Sequence, residues 1–377
     1  MQPVKHYFVT GATGAVGSAL VPLLLEEPEV RVSLLIRASS AERLAERMEA
    51  LYRYWEIGPG ETGLRDRVRA FRGDTTQQRF GLTEDEYSAL AASCTHIVHA
   101  AGVVRMNLPI EEARRSAVGS TRQIIAFALA CKAVGILRKV EFVSTVGVGG
   151  RMPLVPEEWL DEPREFHNTY EQSKAEAENL LRQEMEAHKL PVTVHRPSMV
   201  VGDSITGKII HYQVFYYLCE FLSGRQTRGL MPNLSGITLD TIPVDYVTKS
   251  LVWASNTPQS AGRILHLCSG PSDSIELNWL IGQVRKIFVA GGIDVPVLRR
   301  VPLRLFLGLL PAMHRVSPKP YKKAVRNLSI FLDYARDRQQ FENGKTLVFL
   351  DVANHPLPSP EDYLQNLLEA YLHRPRS

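Results

Sequence analysis

Short β-prone runs alternate along the chain with longer segments whose apolar residues recur at helical spacing. Val4–Thr10 is the first such run. It passes through glycines at 11, 14 and 17 into an apolar helix pattern at Ser18–Leu25. Val30–Ile36 predicts a second strand, and Ala41–Trp55 an exposed helix dense in Glu and Arg that ends before Pro59-Gly60 and Gly63. Val68–Arg72 is a third strand closed by Gly73-Asp74. His96–His99 is a fourth that opens on Ala100-Ala101-Gly102. A helix over roughly 111–134 and a fifth strand at Lys139–Val143 follow. Then come a strongly helical stretch from Asn168 and another strand at Pro191–Val194. From about residue 271 the pattern predicts helices with one β-like piece, Thr346–Leu350.

Strands alternating with helices at these intervals suit right-handed βαβ crossovers and a parallel sheet. The expected fold is therefore α/β, a Rossmann-type doubly wound parallel sheet. Residues 1–270 form the nucleotide-binding domain, with about 203–240 contributing to a substrate pocket. Residues 271–377 form a smaller, mostly helical substrate-binding or lid region.

Composition narrows this only a little. The 377 residues leave room for a sizeable core, and hydrophobic and charged fractions of 45% and 22% are ordinary for a globular enzyme. Forty-four basic residues against 40 acidic ones leave a net charge of +4. That surplus is too small and dispersed to argue for nucleic acid; it suits a phosphate-bearing partner or simply a mildly basic surface. Cys94, Cys131, Cys219 and Cys268 lie far apart without metal-type spacing and read as buried thiols in a reducing compartment. No stretch reaches the roughly 18 apolar residues of a membrane span, and the first residues read as strand, so a cytoplasmic location is expected.

The glycine turn carries the first chemistry. Gly11 can turn tightly out of the strand, Gly14 lets backbone approach a pyrophosphate, and Gly17 lets the helix pack closely. With Thr10, Thr13, Ala15 and Val16 they make a dinucleotide site at a helix N-terminus. Arg37 ends the second strand, where an arginine can pair with the 2′-phosphate of NADPH and an acidic residue would favour NAD. Ser39 and Ser40 could add hydroxyls there. Asp74 can meet the adenine or merely cap its turn, and the small residues Ala100, Ala101 and Gly102 leave space for the cofactor.

Tyr170 and Lys174 are four apart and share a helix face, beyond a strand that delivers Ser144-Thr145 at its carboxyl end. An ammonium near a phenol lowers the phenol's pKa, and a serine hydroxyl can bond the oxygen being reduced. Hydride transfer needs a proton donor, its tuner and an oxyanion partner.

Thr10-Gly11-x-x-Gly14-x-x-Gly17, His99-Ala100-Ala101-Gly102, Ser144 and Tyr170-x-x-x-Lys174 together resemble the extended short-chain dehydrogenase/reductase superfamily. The resemblance covers most of residues 4–270. It implies Tyr170 as general acid, Lys174 as tuner and contact to the cofactor ribose, and Ser144 as partner of the substrate oxygen. The chain departs from the family at Ser116, where an Asn usually supports a proton-relay water.

Arg196-Pro197 followed by Val200-Val201-Gly202-Asp203-Ser204-x-Thr206-Gly207, with Ile242-Pro243-Val244-Asp245-Tyr246-Val247, resembles the thioester-reductase branch, which includes fatty acyl-CoA reductases. Ser317-Pro318-Lys319-Pro320 and Phe331-Leu332-Asp333-Tyr334 echo the latter faintly. The branch implies Pro197 on the cofactor side, and Ser198, Met199, Val200 and Thr145 on the substrate side. The aromatic, apolar helix expected at Ile209–Leu222 can line an acyl channel through Tyr212 and Phe215, or be ordinary core. Val301–Leu310 can close over a hydrophobic ligand, lie on a membrane surface, or pack on the body, and Lys319, Lys322, Lys323 and Arg326 can meet a phosphate. The implied activity is NADPH-dependent reduction of an acyl-CoA or acyl-carrier-protein thioester to an aldehyde, or on to the alcohol. The rival expectations are an epimerase/dehydratase or hydroxysteroid-type dehydrogenase of the same superfamily, and a non-catalytic NADP(H)-sensing protein.

Overall fold

The computed structural model describes residues 4–308, 333–334 and 337–374. Seven parallel strands form the central sheet: β1 (His6–Thr10), β2 (Arg31–Ile36), β3 (Val68–Arg72), β4 (His96–His99), β5 (Lys139–Val143), β6 (Val192–Pro197) and β7 (Ile264–Leu267). Their order across the sheet is β7-β6-β5-β4-β1-β2-β3. The order reverses between β1 and β4, so a crevice opens at their carboxyl ends, where ligands bind in such sheets.

Both faces of the sheet are covered, which is why its strands read as nearly continuous apolar runs. Tyr7 and Val9 pack on α1 (Ala15–Leu25) and α2 (Ala41–Trp55) on one face. Phe8 points to the other face, towards α3 (Glu84–Ala91) and α4 (Ser120–Ala133). There Phe8, Phe80, Tyr87 and Phe127 interlock with ring centroids 4.8 to 6.0 Å apart. The long α5 (Thr169–His188) adds Leu181 and Met185 to that face, and α7 (Val244–Ser255) adds Tyr246, Val247 and Leu251 to the first; α6 (Val214–Leu222) lies between them in sequence.

A second core lies off the sheet. It joins α6, α8 (Leu277–Ala290) and α10 (Pro360–Leu372) through Phe215, Leu218, Leu280, Val284, Leu364 and Leu368. The stretch near 203–240 and the C-terminal helix are thus built around one another. Phe306 is fully buried there against Phe221, so the described part of Val301–Leu310 packs on the body. Lys319, Lys322, Lys323 and Arg326 lie outside the described residues.

Three expectations from the pattern are corrected. Thr346–Leu350 is not a strand but part of helix α9 (Gly344–Asp351). Thr346 and Leu350, one turn apart, are its buried positions, and Glu157 accepts the Lys345 and Thr346 N–H groups at 2.6 and 3.0 Å. The single helix over 111–134 is broken. Ile110–Arg114 leads into a wide π-type turn, Arg115–Gly119, before α4 begins. Ser120 Oγ donates to the Ser116 and Ala117 carbonyls at 2.6 and 3.0 Å, and Thr121 Oγ1 to Ala117 at 2.8 Å, satisfying backbone that the widened turn frees. The aromatic helix begins only at Val214, with Ile209–Gln213 as non-helical chain before it. Among the described residues no helix is long and apolar enough to cross a membrane, and no cluster of metal-ligating side chains occurs.

Candidate active site

The turn after β1 is built as its glycines require. Gly11 has φ +81°, and a Cβ there would lie 2.5 Å from the Ala100 carbonyl carbon and 2.6 Å from Ala101 N. A Cβ on Gly17 would lie 2.3 Å from Gly11 O, so the first turn of α1 rests directly on the turn. Gly14 is the N-cap of α1, extended at φ −92°, with no side chain capping the helix and no acidic residue in its first turn. The amides at Ala15 and Val16 and the positive dipole end are therefore offered to an anion, and a dinucleotide pyrophosphate fits. Thr10 Oγ1 bonds His99 Nδ1 at 2.8 Å and receives Ala101 N–H at 3.4 Å, tying the ends of β1 and β4 together. Burial holds His99 down to about 3, so it is neutral here.

At the ends of β2 and β3 an open cavity of about 700 Å³ is lined by Arg37, Arg43, Arg47, Arg72 and Asp74. Arg37 lies 4.0 Å from Asp74 and is 66% exposed, so its charge faces solvent and any anion that enters. Arg43, Arg47 and Arg72 carry no signal in a strand-end rule, because two of them sit on α2 and one on β3. Asp74 Oδ1 accepts Thr76 N–H and Oγ1, both at 2.8 Å, which makes it the cap of its turn. Ser40 caps α2 by accepting Arg43 N–H at 3.3 Å.

Two of the three expected chemical groups, Tyr170 and Lys174, share a cavity, and Ser144 is not among its lining residues. Ala101, Gly102, Ser116, Tyr170, Ser173 and Lys174 line one small cavity of about 10 Å³, the scale of a single water. Tyr170 and Lys174 are brought there by the i, i+4 face of α5, whose N-cap Asn168 accepts Glu171 N–H at 3.1 Å. Ser116 arrives on the π-type turn, which no local sequence signal announces. Lys174 is 7% exposed, and its ammonium donates to Val143 O at 3.0 Å and lies 5.4 Å from the Phe142 ring. Burial pulls it down to about 8, against the charge of Glu178 one turn on.

The phenol does not move in the expected direction. Burial pushes Tyr170 up to about 12, the hydroxyl of Thr145 pulls it down, and the neighbouring Glu171 carboxylate pushes it up again. Desolvation is the largest of these effects, and the phenol keeps its proton at neutral pH. Ser144 leaves β5 with its N–H on His195 O at 2.7 Å, and its buried hydroxyl has no hydrogen-bond partner among the described residues. A buried hydroxyl left in this way at a strand's carboxyl end is open to a ligand or a bridging water. Thr145 caps the next turn by accepting Gly147 N–H at 3.1 Å.

On the other side of the crevice Pro197 ends β6 opposite Leu267, and Ser198 N–H donates to Leu267 O at 3.0 Å. Met199 and Val200 pair with Thr241 and Ile242 in a short parallel ladder. Asp240, just ahead of that ladder, accepts the amides of Ser269 and Gly270 at 2.8 and 2.9 Å. Burial raises it to about 6, against the nearby Ser198 hydroxyl. Sequence reasoning passed over Asp240, because its neighbours come from three separate strand ends. Phe215 is 1% exposed within the second core, and Tyr212 donates to Ala370 O at 3.1 Å and packs on Tyr216 and Tyr371. Both are thus placed in the packing between α6 and α10.

The two later motifs turn out to touch. Ser204 N and Oγ donate to Asp245, each at 2.8 Å, while Asp203 Oδ1 receives Ile205 and Thr206 N–H. Asn366 of α10 donates to Ser204 O at 2.9 Å, and a Cβ on Gly207 would lie 2.2 Å from Asn366 O. The Gly202–Gly207 loop is a clasp between α7 and the C-terminal helix.

Comparison with known proteins agrees with this fold. Residues 9–251 match the family model described as male sterility protein. A nonribosomal peptide synthetase, asaC of Aspergillus flavus, is 31% identical over 72% of this chain and 27% of its own length. An isonitrile lipopeptide synthase of Streptomyces coeruleorubidus is 31% identical over 72% of this chain, which spans only 18% of that protein. The terminal R domain from the myxalamid biosynthetic pathway superposes with a TM-score of 0.79 at 27% identity, covering 99% of this chain and 91% of that one. A UDP-glucuronic acid 4-epimerase from Bacillus cereus shares the fold at a TM-score of 0.63 and 16% identity, covering 97% of this chain and 96% of that one.

Proposed function

Because the chain belongs to the male sterility protein family, a reductase branch of the extended short-chain dehydrogenases/reductases, we propose that it reduces an acyl thioester to an aldehyde with NADPH. The thioester is carried on CoA or on a carrier protein; 31% identity with segments of a peptide synthetase and a lipopeptide synthase supports the latter. The observation that carries the reading is the cavity where Tyr170, Lys174 and Ser116 meet the Ala101-Gly102 corner of the nucleotide crevice.

Bound NADPH supplies the hydride. The Gly11–Gly17 turn and the N-terminus of α1 would hold the pyrophosphate, and Arg37, with Arg43, Arg47 and Arg72, would favour the 2′-phosphate. Ser144 presents its buried hydroxyl, without a partner among the described residues, to the thioester oxygen. Tyr170, protonated at neutral pH, donates its proton to that oxygen as charge develops there. Lys174, pinned to Val143 O, keeps positive charge beside the reaction and would contact the cofactor ribose. The product of this step carries hydrogen, hydroxyl and thiol ester sulfur on one carbon; loss of the thiol leaves the aldehyde.

The test is NADPH oxidation over acyl-CoAs of graded length and acyl-phosphopantetheine thioesters, with products identified by mass spectrometry. Tyr170→Phe is expected to lose about 100-fold or more in kcat. Arg37→Ala is expected to weaken NADPH binding and leave NADH binding unchanged. Undiminished turnover by Tyr170→Phe would refute the reading.

A further inference from the structure

The first turn of α5 is held from outside by residues far along the chain. Glu171 directly follows Tyr170, and its side chain is 1% exposed. Its Oε2 accepts the His167 backbone N–H at 2.9 Å and His167 Nδ1 at 3.0 Å. Its Oε1 accepts the hydroxyl of Tyr334, 163 residues on, at 2.5 Å. That hydroxyl accepts in turn from Asn168 Nδ2 at 2.7 Å, and Asn168 is the N-cap of α5. The Tyr334 ring stacks on His167 with centroids 4.2 Å apart.

The distal residues are anchored in their own right. His167 Nε2 meets Asp337 Oδ2 at 3.0 Å, and Arg151 clamps Asp333 and Asp337 at 2.7 and 2.6 Å. Gln339 donates to Gly150 O and Met152 O, and Gln340-Phe341 pair with Leu154-Val155. Glu171 also abuts the loop leaving Ser144 and Thr145, since a Cβ on Gly147 would lie 3.2 Å from Glu171 Cγ. One buried carboxylate therefore touches the proton donor's helix, the Ser144 loop and the C-terminal region together.

We propose that Tyr334, Glu171 and His167 are positioning residues of the reduction site, a clasp by which the C-terminal region fixes Tyr170 against the Ser144 loop. This rests on the assignment of Tyr170 as proton donor. The charged groups around the turn are Lys174 on α5, His167 and Arg151 from the preceding loop, and Asp333 and Asp337 from the distal segment. Both nitrogens of His167 face carboxylates. Burial, the largest single effect, pulls His167 down, and the bond to Glu171 together with the charges of Glu171 and Asp337 raises it on balance.

Two variants test the clasp. Tyr334→Phe keeps the ring stack and removes only the hydroxyl. Its kcat is expected to fall about 10-fold with the KM for NADPH unchanged, the signature of a misplaced reacting group. Hydrogen exchange should rise at residues 167–173 and stay unchanged at the far end of α5. Glu171→Gln removes the carboxylate that pushes Tyr170 up, so the alkaline limb of its kcat profile should move to lower pH, which a purely structural role would not produce. The proposal is overturned if exchange at 167–173 is unchanged in Tyr334→Phe, or if both variants keep kcat within about twofold and the pH limb stays in place. Should the unaltered protein turn over no thioester, the reaction assigned above falls, and the exchange result alone decides the clasp.

Discussion

Replacing Gly11 by alanine separates two costs that the glycine turn combines. The first is conformational: at φ +81° an L-residue pays about 1–2 kcal/mol. The second is steric, because the new methyl would sit 2.5–2.6 Å from backbone atoms of Ala100 and Ala101, which no side-chain rotation relieves. Overpacking of that kind costs a further 1–3 kcal/mol or so. Gly262 provides the comparison, with φ +83° and nothing among the described residues within 4 Å of its added Cβ. Gly262→Ala should therefore lose only the conformational part, about 1–2 kcal/mol in urea unfolding, with NADPH affinity unchanged. Gly11→Ala should lose more stability, or else push the turn away from β4 and weaken NADPH binding by about 5-fold to 150-fold. Urea melts and fluorescence titration with NADPH, run on both variants, read the two terms. The same stability loss in both, with unchanged NADPH affinity in Gly11→Ala, would refute the close approach as the reason for glycine.

Two further outcomes follow from buried charge. Arg196 and Glu178 are 1% and 3% exposed and joined by contacts of 2.6, 3.1 and 3.2 Å, so Glu178→Ala strands a buried guanidinium and should cost about 3–5 kcal/mol by urea unfolding. A loss below about 1 kcal/mol would show that Glu158 O and His266 suffice for Arg196. His99 is held down to about 3 by burial, whereas in the unfolded chain it titrates near 6.5. The unfolded state therefore takes the proton first, and stability present above pH 6.5 is lost as the pH falls towards 3. His99→Asn should flatten the stability slope between pH 5 and 6 by up to about 1.4 kcal/mol per pH unit, and an unchanged slope would place the titration elsewhere.

What was legible in the sequence was whatever depends on near neighbours. β1 to β5, the helix Ala41–Trp55, the glycine turn and the Tyr170/Lys174 face follow from periodicity and spacing within a few residues. What was hidden depends on partners far away in the chain. Thr346–Leu350 has the composition of a strand, yet Glu157 caps it as a helix from nearly two hundred positions upstream. Ile264–Leu267 passed unremarked because its pairing partner, β6, lies some seventy residues before it. The π-type turn at Ser116 stands on hydroxyls whose bonding cannot be told from composition. Tyr170 shows the limit for chemistry: spacing brought it to the crevice, but burial, which spacing does not encode, decides the direction of its pKa. The Gly202–Gly207 motif was recognised as a signature of the thioester-reductase branch, and its role in the structure is to join α7 to α10.

That shared second core also bears on how such reductases can be recombined. Phe215 and Leu218 on α6 and Leu364 and Leu368 on α10 fill one interior, although nearly 150 positions separate them in the chain. A graft that exchanged only the residues after 271 would join two half-cores that had never been fitted to each other. Transplanting the stretch 203–240 along with the C-terminal region keeps that interior whole, and places the seams after Val201 and before Thr241, so that the host supplies both strands of the short Met199–Val201/Thr241–Pro243 ladder.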